Sequence, residues 1–404
     1  MFEYIFAFFP MLYGYSFKGI GLDLIVMIFA TLFLLRNQNF RFKIDKQNRD
    51  FLLLFCYVII KDSFIVIFGQ SNSSESFHRL LSNVAYILLF LILLGKDFSQ
   101  KKFYKGLKIS GTVFTAGLLY HLVLIYRFGL PAKGISIIPG YEFVNNNWLN
   151  RPRSFFSEPA ALAQAMLPLL FYSLHKKDYK WSLIATFTIF MSTSTAGILL
   201  AGVLWVIEFI IGKGKRTHKL LAVIVFLMCG ALLLRTEIAT DSIAALQNRL
   251  SGGGSTSVRV FLGFEILSTM QPNQFITGLL YNKAYDYAVQ NIGLFEQTSI
   301  ARMIVGYSEG EFFVNAFASL LFRYGVIGFI LYFRVYKGKI FNKGYAGRAL
   351  AIMTIVETIG DSMLFNAYYF FIMLVLNYLC QEEENVYESY AYRFRIGQSN
   401  AGIL

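Results

Sequence analysis

The sequence predicts an all-α polytopic membrane protein with about twelve transmembrane helices. Apolar residues fill 56% of its 404 positions, charged residues fill only 15%, and the mean hydropathy is +0.53. A soluble domain would be about half apolar and about a quarter charged. The apolar residues also form uninterrupted blocks of roughly 20 residues, the length that crosses a bilayer. Composition and patterning together therefore exclude a soluble protein with a large apolar core.

Twelve apolar blocks are candidate spans. They lie at roughly 3–17, 19–35, 51–69, 80–95, 109–126, 158–174, 181–192, 196–212, 219–234, 312–333, 349–360 and 364–380. The blocks within 181–212 and within 349–380 also fit one long or broken helix each. The sequence thus predicts a single transmembrane domain over residues 1–380, followed by a cytoplasmic tail over residues 381–404.

The basic residues orient these spans. If the N-terminus is cytoplasmic, the inner loops and the tail hold 24 of the 37 Lys and Arg residues. Because cytoplasmic loops of membrane proteins carry such an excess, this orientation is favoured. It leaves two large outer loops, 127–157 and 235–311, which suit an enzyme at the outer surface better than a transporter that works at the midplane. The net charge of +13 is then mostly a topology signal, and no nucleic-acid partner is predicted.

Arginine is concentrated away from the inner side. The inner segments hold 16 Lys and 8 Arg, whereas the outer loops and the spans hold 4 Lys and 9 Arg. Arginine recognises phosphate and carboxylate through planar, bidentate hydrogen bonds, whereas lysine acts as a point charge. The asymmetry favours a phosphorylated substrate at the outer face, and chance in a small sample is the alternative.

The segment Arg151-Pro-Arg-Ser-Phe-Phe-Ser-Glu158-Pro-Ala combines a helix start with crowded charges. Ser157 is predicted to cap the helix, with Glu158 in its first turn and Pro159 where a helix start tolerates proline. Arg151 and Arg153 lie a few residues before it. These charges either order the loop as a cap ion pair or line a polar site. Two arginines beside one acid are more than a cap requires.

This segment resembles the core of Wzy-type polysaccharide polymerases, which belong to the O-antigen polymerase and ligase superfamily. The shared pattern is Arg-x-x-Ser-Phe-Phe-x-Glu-Pro-Ala, followed by a span, a short basic inner loop and Ser192-Thr-Ser-Thr-Ala-Gly197. Asn315 and Tyr324-Gly325-Val-Ile-Gly328 are similar to the span after the family's large outer loop. Together with the two outer loops, the resemblance covers roughly residues 1–380.

The resemblance implies a GT-C-like glycosyltransferase in the bacterial cytoplasmic (inner) membrane, with its active site facing the periplasm or exterior. Such an enzyme polymerises polyprenyl-pyrophosphate-linked oligosaccharide repeat units into O-antigen, capsule or exopolysaccharide. Membrane lipid would surround it, and a chain-length regulator and a flippase would be its protein partners. The pyrophosphate lipid would leave in a direct, inverting displacement, and arginines would stabilise its charge. No metal and no cofactor is predicted.

The candidate site follows from the resemblance and the charge pattern together. Its pyrophosphate-binding residues are predicted to be Arg153, Arg249 and Arg259, with Arg151 and Arg323 behind them. Arg323 lies inside the predicted span 312–333, where a charge is costly and is a functional hypothesis by default. The catalytic base is predicted among Glu158, Glu309 and Glu311, unless Glu158 only positions the arginines.

Two other functions stay open. A glycan ligase of the same superfamily typically carries a His-Asn pair, where this chain has Val314 before Asn315, and this difference disfavours a ligase. A transporter or flippase of lipid-linked glycans would show internal repeats, or helices broken at Gly or Pro in matching halves.

Two polar features inside apolar blocks receive no catalytic role. Lys61-Asp62 is interpreted as a self-neutralising pair or an interhelical contact. His121 lies near the outer end of its span and faces either the lipid headgroups or the site.

Overall fold

The structure, a computed structural model, describes twelve stretches of the chain. They are residues 2–12, 14–17, 20–37, 49–70, 73–94, 99–138, 150–211, 255–295, 314–341, 345–360, 364–366 and 368–380. Within them the chain is helical, apart from loops and one pair of two-residue antiparallel strands. In these stretches, four helices are long and apolar enough to cross a membrane, and several shorter apolar helices accompany them. The predicted helical, membrane-type architecture is present to that extent.

The elements follow one another in this order. They are α1 (Phe2–Leu12), β1 (Ser16–Phe17), β2 (Ile20–Gly21), α2 (Leu22–Asn37), α3 (Arg49–Phe68), α4 (Ser73–Leu94), α5 (Gln100–Leu122), α6 (Pro159–His175), α7 (Tyr179–Met191), α8 (Thr195–Ile211), α9 (Ser255–Ser268), α10 (Pro272–Thr277), α11 (Ala284–Gln290), α12 (Ala316–Ile340), α13 (Tyr345–Gly360) and α14 (Tyr368–Cys380). A π-helix (Val123–Arg127) extends α5, and a 3-10 turn (Ile292–Phe295) follows α11.

Most predicted spans coincide with a helix. The ends of α6, α7 and α8 lie within two residues of the prediction. α7 and α8 are separate helices, and so are α13 and α14, so neither pair forms one long helix. α4 and α5 begin well before the predicted spans. Their first turns are helical but polar, so the hydropathy of the sequence does not reveal them. The predicted span 219–234 lies outside the described residues.

At one end of the bundle, contacts join loops and helix ends that the topology prediction places on the inner side of the membrane. The Ser99 N–H donates to the Glu3 carboxylate at 3.3 Å. Lys108, near the start of α5, pairs with Asp178, between α6 and α7, at 2.6 Å. We call this the basic end of the bundle, because it carries the lysine-rich turns.

The opposite end, which we call the loop end, joins the connections predicted to lie outside. The Ile137 N–H donates to the Tyr15 hydroxyl at 2.8 Å. Lys61, near the end of α3, donates to the Gly278 carbonyl at 3.1 Å. Successive connections therefore meet at alternate ends, as expected for helices that run up and down through a membrane.

The core of the bundle is built around α14. All of its residues, Tyr368–Cys380, are buried. Phe371 packs on Phe6 of α1 with ring centroids 4.9 Å apart, and Phe370 packs on Phe55 of α3 at 5.8 Å. Such aromatic pairs contribute about 0.5–1.5 kcal/mol beyond the area that they bury. α14 is thus enclosed by helices from the first part of the chain.

Large apolar side chains cover the outside of the bundle. Phe29 and Phe33 on α2 are 69% and 65% exposed, and Ile67 and Phe68 on α3 are exposed to a similar degree. A soluble monomer rarely exposes apolar residues in contiguous groups like these, whereas hydrocarbon solvates them. These exposed apolar residues therefore support the prediction that the protein is embedded in a membrane.

α12 is broken at Gly325. The φ of 63° and ψ of −168° at this residue interrupt the helix. Gly278, with a φ of 78°, lies against the break, and a Cβ at either glycine would collide with the backbone of the other segment. Both positions therefore require glycine. The prediction of one continuous span over 312–333 is wrong in this respect, since a glycine in apolar sequence gives no hydropathy signal of a break.

A second, smaller core lies at the loop end. We call residues 255–295 and 316–324 the outer unit, because α9, α10, α11 and the first part of α12 pack together there. Leu262, Tyr287 and Phe322 belong to its core. These helices account for the described part of the second outer loop, and they were not predicted.

We expect Gly325→Ala to destabilise the protein by about 2–4 kcal/mol, because alanine is strained at a positive φ and its Cβ would strike the carbonyl of Ile276. Thermal unfolding in detergent measures the loss. Gly338→Ala in the same helix is the control, because a Cβ there meets nothing within 4 Å. It should be neutral or stabilising by up to about 1 kcal/mol. Equal stability of the two variants would contradict the break.

Candidate functional site

The arginine loop, which we define as residues 150–158, is fastened to the turn between α7 and α8. Arg151 donates from Nε to the Thr193 hydroxyl at 2.8 Å and from Nη2 to the Thr193 carbonyl at 2.5 Å. Thr193 lies in the segment 192–197, on which the family resemblance also rests. Two segments of the resemblance, separated by 42 positions between these residues, therefore meet at the loop end.

Both segments contain a strained residue. Ser154 has a φ of 54° and Thr193 a φ of 58°, in the left-handed region that residues other than glycine rarely adopt. Each such residue costs about 1–3 kcal/mol and persists only where its surroundings hold it. Arg151 holds Thr193, and the Ser154 hydroxyl donates to the Phe114 carbonyl of α5 at 2.8 Å. Strain of this kind clusters at functional sites.

Arg153 is buried beneath the loop. Its Nη1 donates to the Ser157 carbonyl at 2.6 Å and its Nη2 to the Ala132 carbonyl at 2.9 Å. Burial lowers the pKa of the Arg153 guanidinium, and the charge of Glu158 opposes this effect. The side chain stays protonated, because arginine does not lose its proton in proteins. Arg153 thus ties the two ends of the outer loop together, and its role as a pyrophosphate ligand stays a prediction.

Glu158 is the exposed acid of the arginine loop. It is the N-cap of α6, with Pro159 at the first helical position, and its side chain makes no capping hydrogen bond. The prediction that Ser157 caps this helix and that Glu158 lies in its first turn is wrong by one residue, because the helix begins at Pro159 and Glu158 is its N-cap. The Glu158 carboxylate therefore lies at the positive end of the α6 dipole and is accessible from outside.

A second polar cluster lies beside the break in α12. Asp62 of α3 is 3% exposed. Its carboxylate accepts from the Asn83 amide at 2.7 Å and from the Tyr324 hydroxyl at 3.0 Å. Arg79 is close enough to interact electrostatically with Asp62. Of the two interpretations of Lys61-Asp62, the interhelical contact is therefore the one that the hydrogen bonds support.

The same face of α3 also holds the backbone at the break. The Tyr57 hydroxyl donates to the Tyr324 carbonyl at 2.8 Å, and Lys61 donates to the Gly278 carbonyl. In lipid, each backbone polar group needs a partner within the protein. We call Tyr57, Lys61 and Asp62 with their partners the break cluster.

Arg323 lies beside the break cluster and not in the arginine loop. It lies two residues before Gly325 and donates through Nη2 to the Asn282 carbonyl of the outer unit. Its charge is therefore placed at a helix break, not in the middle of a continuous span. The predicted residues Arg151, Arg153 and Glu158 lie together in the arginine loop.

Four other predicted site residues have side chains outside the described part of the chain. Arg249, Glu309 and Glu311 lie outside the described residues. Arg259 lies in α9, and its side chain is outside the described part of the chain.

Thr193, Asn83 and Tyr324 were not predicted as members of either cluster. Asp62 and His121 were visible as polar residues inside apolar blocks, which is a functional hypothesis by default. Nothing in the sequence, however, pairs Asp62 with a residue 262 positions later.

No protein-family model matches the chain, and no curated protein matches it.

We expect Asp62→Leu to cost about 2–4 kcal/mol, because it leaves the buried donors of Asn83 and Tyr324 without their acceptor. Asp62→Asn keeps one acceptor and should cost less. The exposed pair of Asp50 with Arg334 provides the control, and Asp50→Asn should cost no more than about 1 kcal/mol. Thermal unfolding in detergent compares the three variants. An Asp62→Leu variant as stable as Asp50→Asn would show that the carboxylate does not hold the break cluster.

Proposed function

We propose that this protein is a membrane glycosyltransferase that polymerises oligosaccharide repeat units carried on polyprenyl pyrophosphate. The observation that carries the proposal is the bond of Arg151 to Thr193. It joins the two segments, 151–160 and 192–197, whose sequences resemble those of the polymerase family. A GT-C-like architecture of about twelve spans, in a cytoplasmic membrane and with the loop end facing outward, is part of the proposal.

The chemistry needs a positive environment for the leaving group. The acceptor hydroxyl of a single repeat unit attacks the anomeric carbon of the growing glycan, and the bond to the pyrophosphate lipid breaks with inversion. Negative charge develops on the departing pyrophosphate, and preorganised arginines stabilise such charge. Arg151 and Arg323 lie at the loop end and provide two of these charges. The set that the sequence predicts also contains Arg153, Arg249 and Arg259.

The acceptor hydroxyl must also lose a proton. We assign this role to Glu158, the exposed carboxylate beside the arginines, with Glu309 and Glu311 as the alternatives. Removing a general base typically costs a factor of about 10²–10⁴ in rate. Arg153, buried among backbone carbonyls, would support the loop and not contact the substrate directly.

A transporter or flippase of lipid-linked glycans is the second candidate, because one observation favours it. Transporters place their sites at broken helices, and α12 is broken at Gly325 beside the buried carboxylate of Asp62. In the polymerase proposal the break cluster instead attaches the outer unit to the bundle.

The test uses purified protein, a chelator and a synthetic polyprenyl-pyrophosphate repeat unit. We expect a ladder of products spaced by one repeat unit without added metal or nucleotide. Glu158→Gln should slow its formation about 10²-fold or more. Arg151→Ala should slow it about 10²–10³-fold, because a charged stabiliser is lost.

Glu75→Gln is the control, since Glu75 is an exposed carboxylate at the same end that is paired with Lys283. It should leave the rate unchanged. A ladder that persists in both loop variants would keep the function and move the site to the second outer loop. Movement of the lipid-linked glycan across vesicle membranes, without any lengthening of the glycan, would reject the polymerase proposal and support the transporter. Transfer to a different acceptor would indicate a ligase.

A further inference from the structure

His121 connects the two ends of the outer loop. It lies near the end of α5 and is 1% exposed. Its Nδ1 accepts from the N–H of Arg153 at 3.3 Å and from the N–H of Ser154 at 3.2 Å. The ring is also hydrogen-bonded to the backbone of Lys133, which lies near the start of the outer loop, whereas Arg153 and Ser154 lie near its end. One imidazole therefore binds residues on both sides of the loop.

The hydrogen bonds define the form of the ring. A nitrogen that accepts two N–H groups carries no proton, so the neutral tautomer with the proton on Nε2 is present. Nε2–H then donates to the backbone of Lys133. An imidazolium in this position would offer no acceptor to the two N–H groups and would place a second positive charge beside Arg153.

The loop backbone is shaped to receive this nitrogen. The left-handed conformation of Ser154 turns two successive N–H groups toward one point, an arrangement that binds an anion or another acceptor. Here His121 is the acceptor. Gly117, one turn before His121 on α5, allows the approach, because a Cβ there would collide with the side chains of Ser154 and Phe155. The Ser154 carbonyl also accepts from the Ile135 N–H at 2.8 Å.

We propose that His121 is a positioning residue for the arginine loop: its neutral imidazole fixes the backbone of Arg153 and Ser154, and through it the placement of Arg151 and Glu158. The effect on catalysis rests on the proposed glycosyltransferase function. The effect on the loop does not, because it follows from the hydrogen bonds alone. The two effects can therefore be measured separately.

The experiment uses the full chain in detergent or nanodiscs and compares four variants. His121→Asn keeps an acceptor at the δ position, His121→Gln moves it one bond outward, and His121→Leu removes it. His78→Leu is the control, because His78 is an exposed histidine on α4. Hydrogen–deuterium exchange of the Arg153 and Ser154 amides reports the loop, and the product ladder reports the reaction.

We expect exchange of the two amides to rise about tenfold or more in His121→Leu and His121→Gln, and to stay near the wild-type rate in His121→Asn and His78→Leu. The turnover number should fall by about 10- to 100-fold in the first two variants with little change in KM, since misplacement of catalytic groups affects the transition state most. His121→Asn should restore most of it. A structural defect alone would not be rescued by a smaller residue that keeps only the acceptor.

The proposal is overturned if the two amides exchange at the wild-type rate in His121→Leu, or if His121→Asn behaves like His121→Gln. Should His121→Leu fail to fold, the comparison of the Asn and Gln variants still decides the question. Absence of a ladder from wild-type protein would reject the proposed function, and the exchange data would then decide the role of His121 on their own.

Discussion

A break within a long apolar helix is the constraint on which the loop end of this protein depends. Backbone groups in lipid need partners within the protein, and the conformation of Gly325 turns the Tyr324 carbonyl toward α3, where Tyr57 donates to it. Lys61, one helical turn further, donates to Gly278 on the facing segment. Because Gly278 belongs to the outer unit and α3 belongs to the bundle, the hydrogen bonds that satisfy the break also attach the outer unit. The burial of Asp62 follows, since its partners lie at the same junction.

The arginine loop has a different requirement, which is to hold a strained, buried backbone in place. Three kinds of group act on a few residues: a guanidinium, an imidazole and a hydroxyl. Sites that carry out chemistry need such redundancy, because loosely held residues cannot keep a productive geometry. Arg153 donates its hydrogen bonds to backbone carbonyls in the interior, whereas Arg151 is partly exposed and Glu158 is exposed, so these two are the accessible charged groups of the loop. The hydrogen bonds that hold the loop run to α5, to the turn between α7 and α8 and to Ala132, whereas those of the break cluster join α3, α4 and α12.

The helices could be predicted better than the contacts between them. α6 was placed within one residue because Pro159 marks its start and an apolar block sets its length. α5 was placed less well, because hydropathy does not register its polar first turns. The arginine loop was recognised as a candidate site from its crowded charges. Its attachment to Thr193 could not be predicted, since no pattern in the sequence pairs an arginine with a backbone carbonyl on another connection. For the same reason the break at Gly325 was missed: its cause is a tertiary contact with Gly278, and a single glycine in apolar sequence carries no such information.

The buried position of α14 has a consequence for how the protein is made. Chains enter the membrane in order of synthesis, so α1, α3 and α5 are inserted long before residues 368–380 exist. Until then the rings of Phe6 and Phe55 lack the partners on α14 on which they finally pack, and their neighbours are other early aromatic residues such as Phe103 and Phe90. The early helices can therefore complete their aromatic packing only after α14 has joined them. Assembly of this bundle is completed from its centre, by the helix that arrives last among those described.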